Sequence, residues 1–178
     1  MRRTPSVAVL LVILAATLAG TLAGCGRLTR SQAVPPGRAV VDRVVDGDTV
    51  VLRLGEAEEP VRLIGIDTPE TVKPDTPVQC FGPEASKHLK TLLPEGTAVS
   101  VARDREARDH FGRLLLYLWR SADRRFVNLD LVAGGYARPL SLAPNVTYRG
   151  DFAAAAAEAR AAGLGLWSAC AGDTREPP

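Results

Sequence analysis

Residues 62–70 place an arginine, Arg62, near the start of an apolar run and two carboxylates, Asp67 and Glu70, at its end. Val61, Leu63, Ile64 and Ile66 are β-formers, and Thr68-Pro69 stops the strand. Pro69 biases Thr68 away from the helical region. Asp67, Thr68 and Glu70 therefore belong to a stiff, non-helical corner. Such a corner suits a metal site, because ligands must be held before the ion arrives. Two further charged clusters are Asp46-Gly47-Asp48-Thr49 and Asp109-His110-Phe111-Gly112-Arg113. Taken singly, each has a plain explanation as a turn, a solvated strand edge or a surface acid.

Taken together they make one site. Asp48 and Asp67 are hard oxygen donors suited to Ca²⁺ or Mg²⁺, and the Thr68 carbonyl adds a third oxygen without charge. Ca²⁺ takes roughly 6 to 8 oxygens, so water and substrate must supply the rest. Arg62 and Arg113 can fork onto a phosphoryl group and stabilise charge that grows in the transition state. Glu70 can take a proton from an attacking water, or orient it. Metal, two guanidiniums and one carboxylate are a complete set for phosphodiester hydrolysis. Geometry sets a condition. A straight strand would separate Arg62 from Asp67 by about 16 Å on opposite faces. They share a site only if the strand bends, and Gly65 is the place for the bend.

The elements that must position these groups follow from pattern. Residues 39–45 and 49–54 are β-rich runs joined across Asp46-Gly47-Asp48, a hairpin signal. A third strand covers 61–66, after a turn over 55–60. Residues 73–79 are a loop. Gly82-Pro83-Glu84 opens a helix that runs to about residue 93. Strands follow over 97–102 and 112–119, with a charged loop between them. Residues 128–133 form a short helix ended by Gly134-Gly135. Residues 137–149 read as irregular. An alanine-rich helix covers 151–162, with Asp151 as N-cap and Gly163 as stop. Five short antiparallel strands with three helices predict an α+β domain, a closed Greek-key barrel of the OB type.

The chain has 178 residues, enough for one domain plus a targeting segment. Residues 1–24 have a basic start, an apolar middle and small residues before Cys25, as a secretory signal peptide does. The ending Leu22-Ala23-Gly24-Cys25 resembles the lipobox of bacterial lipoproteins, which implies that Cys25 is lipid-modified. The alternative is an uncleaved membrane-spanning helix. Both place the rest of the chain outside the plasma membrane. Residues 25–37 then form a polar tether, 38–170 the domain, and 171–178 a disordered tail. Removing the leader takes two of the 22 basic residues and none of the 20 acidic ones, leaving 20 against 20. A general nucleic-acid binder shows a basic excess, so any basic surface here is local. Cys80 and Cys170 remain as an even pair in an oxidising compartment, which favours a disulfide over two buried thiols.

The set Asp-Gly-Asp-Thr, Arg-x4-Asp-Thr-Pro-Glu, Phe-Gly-Pro-Glu-Ala and Phe-Gly-Arg, in this order from Val41 to Trp167, resembles the thermonuclease (staphylococcal-nuclease-like) family. The resemblance implies an OB-fold barrel with three helices that cleaves DNA and RNA with Ca²⁺. It implies Arg62, Glu70 and Arg113 as catalytic residues. It further implies Asp48, Asp67 and the Thr68 carbonyl as calcium ligands, and Asp46 as a carboxylate behind them. The chain departs from the family where members place a lysine and a tyrosine before Gly-Arg, since His110 and Phe111 stand there. Residues 138–145 take the place of a tyrosine-bearing loop and contain no tyrosine. Two rivals remain. A binding-only barrel would lack these acids and arginines. A haloacid-dehalogenase-like phosphatase would use Asp46 as nucleophile, but needs an alternating strand-helix pattern that does not follow. The expectation is a lipid-anchored, Ca²⁺-dependent nuclease, monomeric by default, on the outer face of the plasma membrane.

Overall fold

The computed structural model describes residues 38–71 and 77–170. The leader, Cys25, the tether and the tail lie outside the described residues. The elements are β1 (Arg38–Val44), β2 (Thr49–Leu54), β3 (Ala57–Leu63), β4 (Gly65–Asp67), α1 (Gly82–Leu92), β5 (Ala98–Ala102), β6 (Leu114–Arg120), β7 (Arg125–Phe126), α2 (Val127–Ala133), β8 (Arg138–Leu140), α3 (Arg149–Ala161) and α4 (Leu166–Ala169).

Five strands close into a barrel in the order β3-β2-β1-β5-β6, and β3 returns to β6. The seam is parallel, with Val61 opposite Leu114 and Leu63 opposite Leu116. The barrel is therefore mixed rather than wholly antiparallel, as the run of short strands had suggested. Two strands this far apart in sequence can meet in either direction, and nothing local encodes which. The core is filled from the strands by Val41, Leu52, Val61, Leu63, Leu116 and Trp119, and capped by Leu89, Leu131 and Phe152 from the helices. Such side chains each contribute about 1.5–3 kcal/mol on burial.

The third strand differs from expectation at both ends. The turn after β2 occupies Gly55 and Glu56, and β3 already runs from Ala57. Pro60 is tolerated because it precedes the stretch paired with β6, where β3 has a neighbour on one side only. The strand then breaks at Ile64. Gly65 takes φ +82°, and a Cβ there would lie 2.2 Å from the Phe152 ring. Glycine thus permits both the left-handed turn and the packing of α3 against it. Beyond the break, β4 pairs not with the barrel but with β8, Asp67 opposite Arg138. Residues 138–140 are therefore a strand, not irregular chain. Buried Asn128 fastens the break. Its Nδ2 donates to the Ile64 carbonyl at 2.9 Å, and its Oδ1 accepts the Leu118 N–H at 3.0 Å.

Other boundaries shift modestly. β6 starts at Leu114 because 109–112 form a tight turn, with the Gly112 N–H donating to the Asp109 carbonyl. Helix α3 begins at Arg149 with Tyr148 as its N-cap, so Asp151 is a first-turn acid and not the cap. There it still complements the positive end of the helix. α4 is a single turn that carries Cys170 at its C-cap. Cys170 is disulfide-bonded to Cys80 across a sequence separation of 90. In the chain-entropy model a loop of this size contributes about 4 to 5 kcal/mol.

Candidate active site

The β1–β2 hairpin, the β3–β4 corner and the start of β6 meet around one cleft of about 480 Å³. Asp46 and Asp48 come from the hairpin turn. The Asp46 Oδ1 accepts the Asp48 N–H at 3.0 Å, an Asx-type contact that shapes the turn. Asp48 is buried, and its Oδ2 accepts the Thr68 N–H and hydroxyl, both at 3.0 Å. The first and second acidic motifs are thus tied directly together.

Arg62 reaches both. The break at Gly65 folds β4 back so that Arg62 Nη2 donates to Asp67 Oδ1 at 2.7 Å and to the Ile66 carbonyl at 3.3 Å. Its Nη1 is ion-paired with Asp48 Oδ1. Arg113 enters from the β6 side. Its Nε donates to Asp109 Oδ2 at 2.7 Å, and its Nη1 lies 3.5 Å from the Thr49 hydroxyl. Its guanidinium also sits over the Phe111 ring, 5.4 Å from the centroid. Glu70 lines the same cleft, and its Oε1 accepts the Thr71 N–H at 2.8 Å. Arg62, Glu70, Arg113, Asp46, Asp48, Asp67 and Thr68 therefore all face one space.

Sequence reasoning missed one partner here. Asp109 holds Arg113 through its side chain, and its Oδ1 accepts the Arg113 and Phe111 N–H groups at 2.9 and 3.0 Å. Burial works against the Asp109 charge, but the bonds from Arg113 outweigh it and keep the carboxyl below its ordinary pKa. The signal was present as an Asp four residues before an Arg across a glycine turn. Asp46 shifts the other way. Burial raises its pKa and the Glu70 charge adds to that, against a Thr49 hydrogen bond and the attraction of Arg62.

Four carboxylates, Asp46, Asp48, Asp67 and Glu70, line the cleft against two guanidiniums, leaving a surplus of two negative charges. All-oxygen anionic donors are what a hard divalent cation takes. Arg62 stands between Asp48 and Asp67. Among the described residues no three acidic, His or Cys groups converge as a ready metal cluster. The donor set fits such a cation in kind, and Arg62 supplies the positive charge between the two carboxylates in this conformation.

Beside this cleft lies a second pocket of about 430 Å³, sharing Arg62 and Arg113. Its apolar wall includes Ile66, Leu140 and Leu142, and His110 stands at its edge. Leu142, in this pocket, and Phe111, in the acidic cleft, are 66% and 72% exposed.

The family model described as staphylococcal nuclease homologue matches residues 60–169. This chain belongs to the staphylococcal nuclease family. A thermonuclease of Staphylococcus intermedius is 38% identical over 165 residues, covering 92% of this chain and 96% of the relative. A thermonuclease of Staphylococcus hyicus is 38% identical over 128 residues, covering 72% and 74%. The endonuclease YncB of Bacillus subtilis (strain 168) is 36% identical over 129 residues, covering 72% and 60%. The chain is thus a nuclease, a phosphodiester hydrolase whose substrate is nucleic acid. The phosphatase alternative falls with the fold, because Asp46 sits in a hairpin turn of a barrel and not after a strand of an α/β sheet.

Proposed function

We propose that this nuclease hydrolyses DNA and/or RNA with Ca²⁺ as its cofactor, on the outer face of the plasma membrane, anchored through lipid on Cys25. The observation that carries the cofactor is the charge of the cleft. A surplus of two carboxylates would repel a phosphodiester, and a divalent cation offsets it. Asp48, Asp67 and the Thr68 carbonyl would hold the ion, with Asp46 behind them. When bound, Ca²⁺ would supply Lewis-acid polarisation of the phosphoryl oxygens and charge neutralisation.

The chain's own groups do the rest. Were Asp48 and Asp67 to hold a cation, both Nη groups of Arg62 would be free to donate to phosphoryl oxygens. Arg113 is already aimed by Asp109 and donates from the other side. Glu70 accepts the proton of the attacking water, and the guanidiniums stabilise the charge that develops on phosphorus-bound oxygen. The neighbouring pocket seats a base of the substrate against Leu140 and Leu142. All these groups come from one chain, and the protein acts as a monomer.

The deciding measurement is digestion of DNA and of RNA by the full chain with Ca²⁺ and then with chelator. Digestion undiminished in chelator overturns the cofactor. A readout free of turnover is thermal unfolding: at 100 times its Kd, Ca²⁺ should add about 2.7 kcal/mol. Asp48→Asn should remove that gain. For the anchor, Cys25→Ser should release activity from the membrane fraction, and sedimentation unchanged with membranes would refute it.

A further inference from the structure

Glu70 lies at the end of the β3–β4 corner, where no strand or helix holds it. Its backbone is instead clamped from outside the cleft. The Gln79 Oε1 accepts the Glu70 N–H at 2.9 Å, and the Gln79 N–H donates to the Glu70 carbonyl at 2.9 Å. This two-way pairing fixes the peptide groups on both sides of the Glu70 Cα. The carboxylate direction follows, because its Oε1 is itself bonded to the next N–H, that of Thr71.

Gln79 is in turn held by its own surroundings. It precedes Cys80, whose disulfide runs to Cys170 at the end of α4. The Gly82 N–H donates to the Gln79 carbonyl at 3.1 Å. Phe81 takes the left-handed conformation at φ 67° and stacks on Tyr136, with centroids 5.6 Å apart. A Cβ on Gly82 would lie 3.0 Å from the Pro69 carbonyl oxygen and 3.1 Å from that of Glu70. The start of α1 is thus pressed against the peptide that carries Glu70.

We propose that Gln79 is a positioning residue for Glu70, and that the Cys80–Cys170 disulfide braces it. The inference rests on the reading of Glu70 as the group that accepts the proton of the attacking water. Misplacing such a group by about 1 Å can cost on the order of 100-fold in rate. The bridge therefore has a catalytic consequence in addition to its effect on stability.

The test uses the full chain with saturating Ca²⁺ and a labelled single-stranded DNA oligonucleotide. Gln79→Met keeps the volume, the backbone bond and the disulfide, and removes the side-chain acceptor. It should lower kcat by about tenfold or more with KM little changed. Gln79→Glu restores an oxygen at the same reach and should recover most of that loss. Cys80→Ser with Cys170→Ser, measured below its unfolding temperature, should lower kcat in the same way. The three changes combined should lose little more than the larger single effect, because they act through one contact. Unchanged kcat in Gln79→Met, no recovery in Gln79→Glu, or fully additive losses each overturn the proposal. Glu70→Gln separates the two levels: full turnover there removes the role of Glu70 and this inference with it. An inactive Glu70→Gln beside a fully active Gln79→Met removes the inference alone.

Discussion

The two adjoining pockets share Arg62 and Arg113 and are otherwise opposite in character. The cleft at the hairpin is crowded with carboxylates, each held by a donor: Asp46 by the Asp48 N–H, Asp48 by the Thr68 N–H and Asp67 by Arg62. The pocket beside it has an aliphatic wall of Ile66, Leu140 and Leu142, and Leu142 is largely exposed. Chemistry needs groups held to fractions of an ångström, whereas grip on a base needs area and tolerates movement. The two arginines form the wall between them. On the proposed reading they join the reacting groups to the held base.

That division can be broken by substitution. The largest effect should come from Arg113→Lys, which loses the fork geometry. Its kcat should fall about 100- to 1,000-fold with KM little changed, and near-normal turnover in steady-state assays would place Arg113 with grip instead. Asp109→Asn should follow, at about 10- to 100-fold in kcat, because Arg113 keeps its charge but loses its aim. On the other side of the wall, Leu140→Ala with Leu142→Ala should raise KM about tenfold and leave kcat nearly unchanged. Leu142→Tyr should do the reverse, lowering KM about fivefold through base stacking. A kcat effect from either leucine change would show that the pockets are not separable.

The smallest effect is one of pH. Asp104 accepts from the Tyr117 hydroxyl at 2.9 Å and from Thr147 N–H and hydroxyl at 3.0 Å. It thereby joins the loop before β6 to the one before α3. Burial works against its charge, yet these hydrogen bonds prevail and hold its pKa below the ordinary value. A depressed carboxylate adds stability above its unfolded pKa of about 3.9, and loses it as pH falls through the lower folded value. Thermal unfolding of Asp104→Asn should therefore fall below that of the native chain near neutral pH. The difference should shrink as pH falls below the unfolded value toward the lower folded one.

Much of the reactive cleft was legible because its residues lie in short motifs with fixed spacing. Arg62 and Asp67 could share a site only through a bend, and Gly65 was the residue able to make it. The supports were less legible. Gln79 meets Glu70 across nine positions with no periodic signal between them, and Asn128 reaches the Ile64 carbonyl from 64 residues away. The strand over Arg138–Leu140 is three residues long and contains a proline, so its pairing with β4 exists only once Gly65 has turned the chain. The parallel seam had no local mark at all.

That seam also governs when the enzyme comes into being. Asp46, Asp48, Asp67 and Glu70 are laid down early in the chain, and Arg113 arrives on the far side of the closure, next to Leu114 opposite Val61. Contacts between such distant segments form late, after the entropy of a long loop has been overcome. The cleft is therefore complete only once β6 has joined β3, and until that closure the arginine of the far side is missing from it.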